Sequence, residues 1–309
     1  MSQPRLPPEL EREIFETAAI LHPGTIPALV ATARRVQEWT EPMLFRVLRF
    51  KLGTPQTEAF LHALRTKPPD FAARSVRHIF FEALDRSVPL AVGLEILQKC
   101  PGIVDFGTTK AFTGRAVLDA LRGLPNLRVL TLGLSSLDSE TDESLASALE
   151  RVTHLTVLDR DYPSIVKLLP RLPRLTHFAM KHSTDHGGSP LPLPDPNIFA
   201  DILSSCPHLH VLLITSAKSP FPVIYPHGPP TSDPRLVFAF RDVGYVGFWS
   251  GWLAIAYGQD EDIWVLAEGI VKARVSGDKP WQPIASEWLG RPEASPQPGF
   301  YRPNLHELH

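Results

Sequence analysis

The chain has 309 residues, 43% of them hydrophobic, enough for one large core or two smaller ones without disulfide or metal staples. Its 31 Lys and Arg against 33 Asp and Glu leave a net charge of -2, which removes the basic field of a generic nucleic-acid binder. Two cysteines, Cys100 and Cys206, are too few for a secreted disulfide framework and lack paired zinc spacing, so a reducing compartment, cytoplasm or nucleus, is expected.

Met1 to Leu10 carries no apolar run behind a basic start, and no secretory or transit signal is expected. The 32 prolines, about twice ordinary usage, predict many short elements joined by stiff turns. The first fifty residues read as three short helices. In the first, Leu6, Leu10 and Ile14 recur every four residues beside Phe15 and Ala18, with Glu9, Glu11, Arg12, Glu13 and Glu16 on the other face. Pro7 and Pro8 sit where a helix tolerates proline. His22, Pro23 and Gly24 break that helix, Thr25 can cap a second with Leu29, Ala33 and Val36 on one face, and a third begins near Glu41 and Pro42 and carries Leu44, Phe45, Val47 and Leu48. Three helices of this length have more apolar side chains than they can bury among themselves, so some must face a neighbour.

The segments LPPELEREIF (Leu6 to Phe15) and ARRVQEWTEPMLFRVL (Ala33 to Leu48) together resemble an F-box-like domain of the fungal type, over about one sixth of the chain. The resemblance implies docking on a Skp-family adaptor, and through it on a cullin ubiquitin ligase. Carried over residue by residue, Leu6, Pro7, Glu9, Leu10, Ile14 and Phe15 match the opening motif and are the expected adaptor-binding residues.

From 51 to 241 a short apolar-x-x-apolar string recurs: CPGIVDF, LPNLRVL, VTHLTVL, LPRLTHF and CPHLHVL. Anchors at Ile103, Leu127, Leu155, Leu175 and Leu209, with weaker members at Val76 and Leu236, lie 27, 24, 28, 20, 34 and 27 residues apart, bracketing the period of leucine-rich repeats. Apolar residues three, six and nine before most anchors predict one helix per unit, joined by a tight turn to one strand, and such units stack into a solenoid with parallel strands. Cys100 and Cys206 fall in the same slot, three before the anchor, as small apolar side chains.

Two stretches rich in proline, 184–197 and 220–234, read as loops. Five of the six tryptophans (Trp249, Trp252, Trp264, Trp281, Trp288) follow residue 242, and Asp260 to Ser276 reads as a helix with acidic residues at its start, Lys272 and Arg274 at its end and Ile263, Ala267 and Ile270 facing inward. This cluster is expected to cap the last unit, with an aromatic peptide-binding pocket as the alternative. The uncharged run Val243 to Gly258 is shorter than the ~20 apolar residues of a membrane span and holds three internal glycines, so no membrane association is expected.

Signatures of catalysis are sparse. Neither a phosphate-binding loop nor a G-x-G-x-x-G is present, and GFWSG (Gly247 to Gly251) lacks nucleophile-elbow spacing. His182 and His186 are separated by a loop-forming sequence, and His208 and His210 read as exposed strand histidines, so no metal or other cofactor is expected.

The expected fold is therefore α/β: a three-helix F-box-like head (1–50), an irregular leucine-rich-repeat solenoid with parallel strands (51–241), an aromatic-rich C-terminal cap (242–290) and a proline-rich tail (291–309). Joined to the resemblance, it implies a substrate-recognition subunit of a Skp/cullin/F-box ubiquitin ligase that performs no chemistry and binds neither nucleic acid nor membrane. A scaffold without ligase association is the first alternative, and a hydrolase using Asp260, Glu261, Asp262 and the aromatic cluster the second. The unknown target is expected on the strand face, at Arg77, His78, Asp105, Arg128, Thr156 and His177, with His210 beside them and Asp159, Arg160, Lys181 and Arg241 at strand ends. Basic and imidazole groups predominate there, which predicts an acidic or phosphorylated target segment.

Overall fold

The computed structural model describes residues 6–51, 54–82, 90–108, 112, 114–133, 142–158, 162–182, 195–216, 231–240, 252–258 and 262–278. The first helix, α1 (Pro8–Leu21), starts behind Pro7 with Pro8 in its first turn, where a missing N–H costs nothing, and Glu9 and Glu11 suit its positive end. A 3-10 turn (Pro23–Thr25) leads into the short α2 (Ile26–Val30), and α3 (Arg34–Leu44) follows. Val36 lies on α3, and no third helix begins at Glu41: Pro42 stands in the last turn of α3, and Val47–Lys51 forms strand β1 instead. Leu48 and Phe50 turn to one side of that strand and Val47 to the other, a period of two that a helix reading of so short an apolar run cannot distinguish.

From β1 the chain builds one eight-stranded, wholly parallel sheet whose strands lie side by side in sequence order. After β1 come α4 (Pro55–Thr66), α5 (Pro69–Ser75), β2 (His78–Glu82), α6 (Leu90–Lys99), β3 (Asp105–Thr108), α7 (Arg115–Arg122), β4 (Val129–Leu132) and α8 (Asp142–Leu149). The series continues with β5 (His154–Val157), α9 (Tyr162–Leu168), β6 (His177–His182), α10 (Pro196–Ser205), β7 (Val211–Ser216), β8 (Leu236–Phe240) and, last among the described helices, α11 (Ile263–Val275). Parallel neighbours need crossover connections, and from β1 to β7 these helices supply them.

The helices between the strands pack on one side of the sheet. Ile79, Phe81, Phe106, Leu130, Leu155, Phe178, Leu212 and Leu236 meet Ile96, Leu97, Val117, Leu118, Leu121, Ile165, Phe199 and Ile202 in one continuous core. Full burial of each such side chain contributes about 1.5–3 kcal/mol. Phe81 meets Phe106 edge-on at 5.4 Å and Phe112 at 5.0 Å, a favoured geometry for aromatic pairs.

Strand pairing corrects the expected register. Ile79, Phe106, Leu130, Leu155, Phe178, Leu212 and Leu236 stand side by side, so intervals between equivalent residues are 27, 24, 25, 23, 34 and 24. Leu155 is therefore the counterpart of Leu130, not of Leu127, and Leu236 that of Leu212, not of Leu209. The counterpart of Leu127 is Val152. VTHLTVL holds apolar residues at both spacings, which allowed either reading.

The turns into the strands are nearly identical. The N–H of Ile103, Leu127, Val152, Leu175 and Leu209 donates to the carbonyl three residues back, on Cys100, Leu124, Leu149, Leu172 and Cys206. Both cysteines are buried and free, and burial pushes the Cys100 thiol up to about 12. At the foot of each strand two successive N–H groups then share one carbonyl of the preceding unit: Val104 and Asp105 on Arg77, Arg128 and Val129 on Val104, Thr153 and His154 on Arg128, Thr176 and His177 on Thr153.

Candidate functional site

Two surfaces carry the expected contact residues. Leu10, Ile14 and Leu21 of α1 and Leu6 just before it are 48%, 54%, 61% and 46% exposed and line a shallow groove with Glu13, Thr17, Ala18 and His22. Helical spacing explains the stripe, since residues four apart differ by about 40° around the axis. The same geometry separates Phe15 from it by about 100°. Phe15 is half-buried on the inner side near Ala19, so it does not share the outward face expected for it, whereas Pro7 and Glu9 are exposed beside Leu6 and Leu10. The helix is held by Arg35, whose guanidinium donates to Glu11 at 2.6 and 3.1 Å. Phe45 edge-on to Phe71 at 5.1 Å and Lys67 paired with Glu41 at 2.6 Å fasten the first three helices to α4 and α5.

The second surface is the strand face opposite the crossover helices. One row across it reads Val47, His78, Asp105, Val129, His154, His177, Val211, and the next Arg49, Phe80, Gly107, Thr131, Thr156, Ala179, Leu213, Val237. Gly107 makes room for its neighbour: a Cβ there would stand 2.5 Å from the Phe80 ring. Residues 252–258 and 262–278 lie on this face. The Trp252 indole meets Phe80 at 5.7 Å and His78 at 6.5 Å, and Trp264 meets His154 at 5.4 Å and His177 at 5.5 Å. Trp264 and Ala267 pack with Ala179, Val211, Leu213, Val237 and Ala239 in a cluster of their own.

The same segment reaches both outer strands. Tyr257 Oη donates to the Val47 carbonyl at 3.3 Å, and Arg274 Nη1 donates to the Leu236 carbonyl at 2.5 Å. Because Arg46 and Arg235 turn their carbonyls toward the neighbouring strands β2 and β7, Val47 and Leu236 point theirs out of the sheet. Both edges are thus satisfied in part by side chains of this segment. The described aromatic residues, Trp252 and Trp264, therefore lie across the strand face, rather than capping the end of the sheet as expected.

α11 begins at Asp262, whose side chain accepts from the Trp264 N–H, and ends before Gly277, which has a φ of +79°. It turns Glu268 toward the sheet, and Glu268 Oε1 lies 3.0 Å from His177 Nε2. His154 and His177 stack at 4.1 Å with planes 10° apart, and each places Nδ1 2.9 Å from the hydroxyl of the preceding threonine, Thr153 or Thr176. A neutral His177 is satisfied on both sides when its Nε2–H donates to Glu268 and its Nδ1 accepts the Thr176 hydroxyl.

Burial dominates the electrostatics here. It lowers His177 to about 4, helped by the adjacent His154 and opposed by Glu268, and it lowers His154 as well, so both rings are neutral at pH 7. Glu268 is held below the usual carboxylate range, first by Lys272. Asp105, 8% exposed, is pushed upward by burial against the pull of His78, 3.4 Å away. Burial likewise lowers Lys181.

The expected target-binding residues divide accordingly. His78, Asp105, Thr156, His177 and Lys181 do lie on the strand face. Arg77 and Arg128 do not serve it: Arg77 Nη1 donates to the carbonyls of Ala73 and Gly102, and Arg128 Nη1 to those of Pro125 and Leu127. These guanidiniums stitch the turns, so neither of the two adds its charge to the strand face. His210 precedes β7 and is exposed, 6.0 Å from His177, and His208 binds the Leu172 carbonyl, so neither is a strand residue. Asp159, Arg160 and Arg241 lie outside the described residues, as do Asp260, Glu261, His186, Trp249, Ser250, Trp281 and Trp288. Asp262 is the α11 cap.

No protein-family model matches this chain, and no curated protein matches it. Among the described residues, no group of three His, Cys, Asp or Glu side chains is placed to hold a metal ion, and no helix is long and apolar enough to cross a membrane. Sequence reasoning missed His154, Tyr257 and Glu268. A signal for the histidines was present: Thr153-His154 and Thr176-His177 repeat the same pair at the strand interval of 23.

Proposed function

We propose that this chain is a substrate-recognition subunit of a Skp/cullin/F-box ubiquitin ligase, acting in the cytoplasm or nucleus and performing no chemistry itself. The observation that carries the reading is the exposed apolar stripe of Leu10, Ile14 and Leu21 on α1, extended by Leu6 before it, in the segment that resembles the F-box opening motif. A contiguous apolar patch of this kind marks an interaction surface. The first three helices would form the F-box-like head, and the sequential parallel strands, at intervals of 23 to 34 with one repeated turn, fit an irregular leucine-rich-repeat solenoid. A Skp-family adaptor would bury the α1 stripe, and the strand face would take a target protein.

The test is Leu10→Asp with Ile14→Asp, which places two charges in the contact. Affinity for a purified Skp-family adaptor is expected to fall at least a hundredfold, with the circular dichroism spectrum unchanged. Undiminished adaptor binding by this variant, or no binding by the unaltered chain, overturns the reading.

A further inference from the structure

The seat of residues 252–258 and 262–278 on the strand face is built differently from the core on the other side of the sheet. The helix-side core runs from Phe50 to Phe238 without this segment, and the cluster beneath α11 is separate from it. The seat is also imperfectly paired. Asp105 Oδ1 and Trp252 Nε1 are both buried, and the indole N–H, which favours the ionised carboxylate, falls outside ordinary hydrogen-bond geometry to it. Permanent interiors pair nearly all such groups. The polar clamp on His177 comes from Glu268, whose side chain is itself 36% exposed. Lifting the segment would return these groups to water and uncover an apolar row, Ala179, Val211, Leu213, Val237 and Ala239, of the kind that marks binding surfaces.

We infer that residues 262–278, with 252–258 beside them, are a built-in competitor on the strand face, occupying the seat of a target helix that carries an aromatic side chain and, four residues later, an acid. Trp264 and Glu268 are that pair on α11, one turn apart on the same helix face. The aromatic ring lies edge-on to the stacked His154 and His177, and the acid accepts the Nε2–H of His177. The inference rests on the reading above that the strand face takes the target, and it names that target's chemistry. The acid now answers a neutral imidazole, not the arginine cluster expected from sequence.

The test uses the full chain and a fluorescein-labelled synthetic peptide of residues 262–278 added in trans. Unaltered protein, its own seat filled, is expected to bind the peptide at least tenfold more weakly than Trp264→Ala with Glu268→Gln. The same peptide carrying both substitutions should bind neither. Tyr257→Phe with Arg274→Gln, which loosens the segment's ends without opening a cavity, should shift binding in the same direction. Hydrogen exchange should rise across 262–278 in both variants while β6, β7 and β8 stay protected. Equal peptide binding by all forms, or loss of protection in β6–β8 together with α11, overturns the inference. Adaptor binding measured on the same samples reports separately on α1, so loss of the ligase reading is distinguishable from loss of this one.

Discussion

Two apolar surfaces of this molecule have opposite fates. The outer face of α1 leaves Leu10 and Ile14 about half exposed, whereas on the strand face Val211 and Leu213 are buried beneath Trp264 and Ala267 of the same chain. The difference does not lie in hydrophobicity. It lies in whether the chain returns to cover what it has built: α11 packs over the strand row, and the α1 stripe stays about half exposed.

The contrast between the two sides of the sheet is open to the largest test. Phe106, fully buried among Phe81, Phe112 and the helix-side core, should cost about 3–5 kcal/mol as Phe106→Ala. Trp264→Ala, 9% exposed in the separate cluster, should cost clearly less by urea denaturation if the segment is displaceable. Equal losses would place α11 in the same cooperative core and erase the distinction.

That distinction was only half legible in the sequence. The helix-side row was readable because Phe106, Leu130, Phe178 and Leu212 each follow an apolar anchor by three residues, with a turn before each. Its register slipped at Leu155, because Val152 and Leu155 are both apolar three residues apart. β1 was hidden since Phe45, Val47 and Leu48 fit a short helix equally well. The placement of residues 252–258 and 262–278 was not readable at all: Trp252 meets Phe80 across 172 residues with no period linking them, and only the fold brings them together. On α1 the stripe itself was legible, but the inward turn of Phe15 required the helix phase.

Acid should weaken the covered face before the uncovered one. His177 stays neutral in the folded chain down to about pH 4, while an unfolded histidine titrates near 6.5, so the unfolded state holds the extra proton between those values. Stability is therefore complete above about pH 6.5 and declines as pH falls toward 4, by at most about 3 kcal/mol from this ring. His154 acts in the same sense, and the groups facing the pair are Glu268 and Lys272 on α11, Asp262 at its cap and His210 before β7. Asp105, raised by burial, acts in the opposite sense, so the difference between the unaltered chain and His177→Gln isolates the histidine. Parallel stability curves for the two proteins between pH 4.5 and 7 would refute this account.

A backbone change sharpens the comparison at the Trp252 end. Gly107→Ala puts a methyl 2.5 Å from the Phe80 ring, which is already pressed between the sheet and the Trp252 indole. Overpacking of this kind costs about 1–3 kcal/mol. Exchange protection should fall in 252–258 and in β2, and an unaltered denaturation midpoint would mean that the ring turns aside freely.

The smallest effect on stability belongs to the uncovered face, and its smallness is the point. Leu10→Ser and Ile14→Ser remove side chains that are 48% and 54% exposed, so only helix propensity and a little residual packing are lost. Each should shift stability by no more than about 0.5 kcal/mol. Leu213→Ser, the same change on the covered face where the side chain is 1% exposed, should cost about 2–5 kcal/mol. A loss above about 1 kcal/mol at Leu10 would show that some part of this chain packs against the α1 stripe as α11 packs against the strands. In that case both apolar surfaces would be internal, and α1 would have no free face to offer an adaptor.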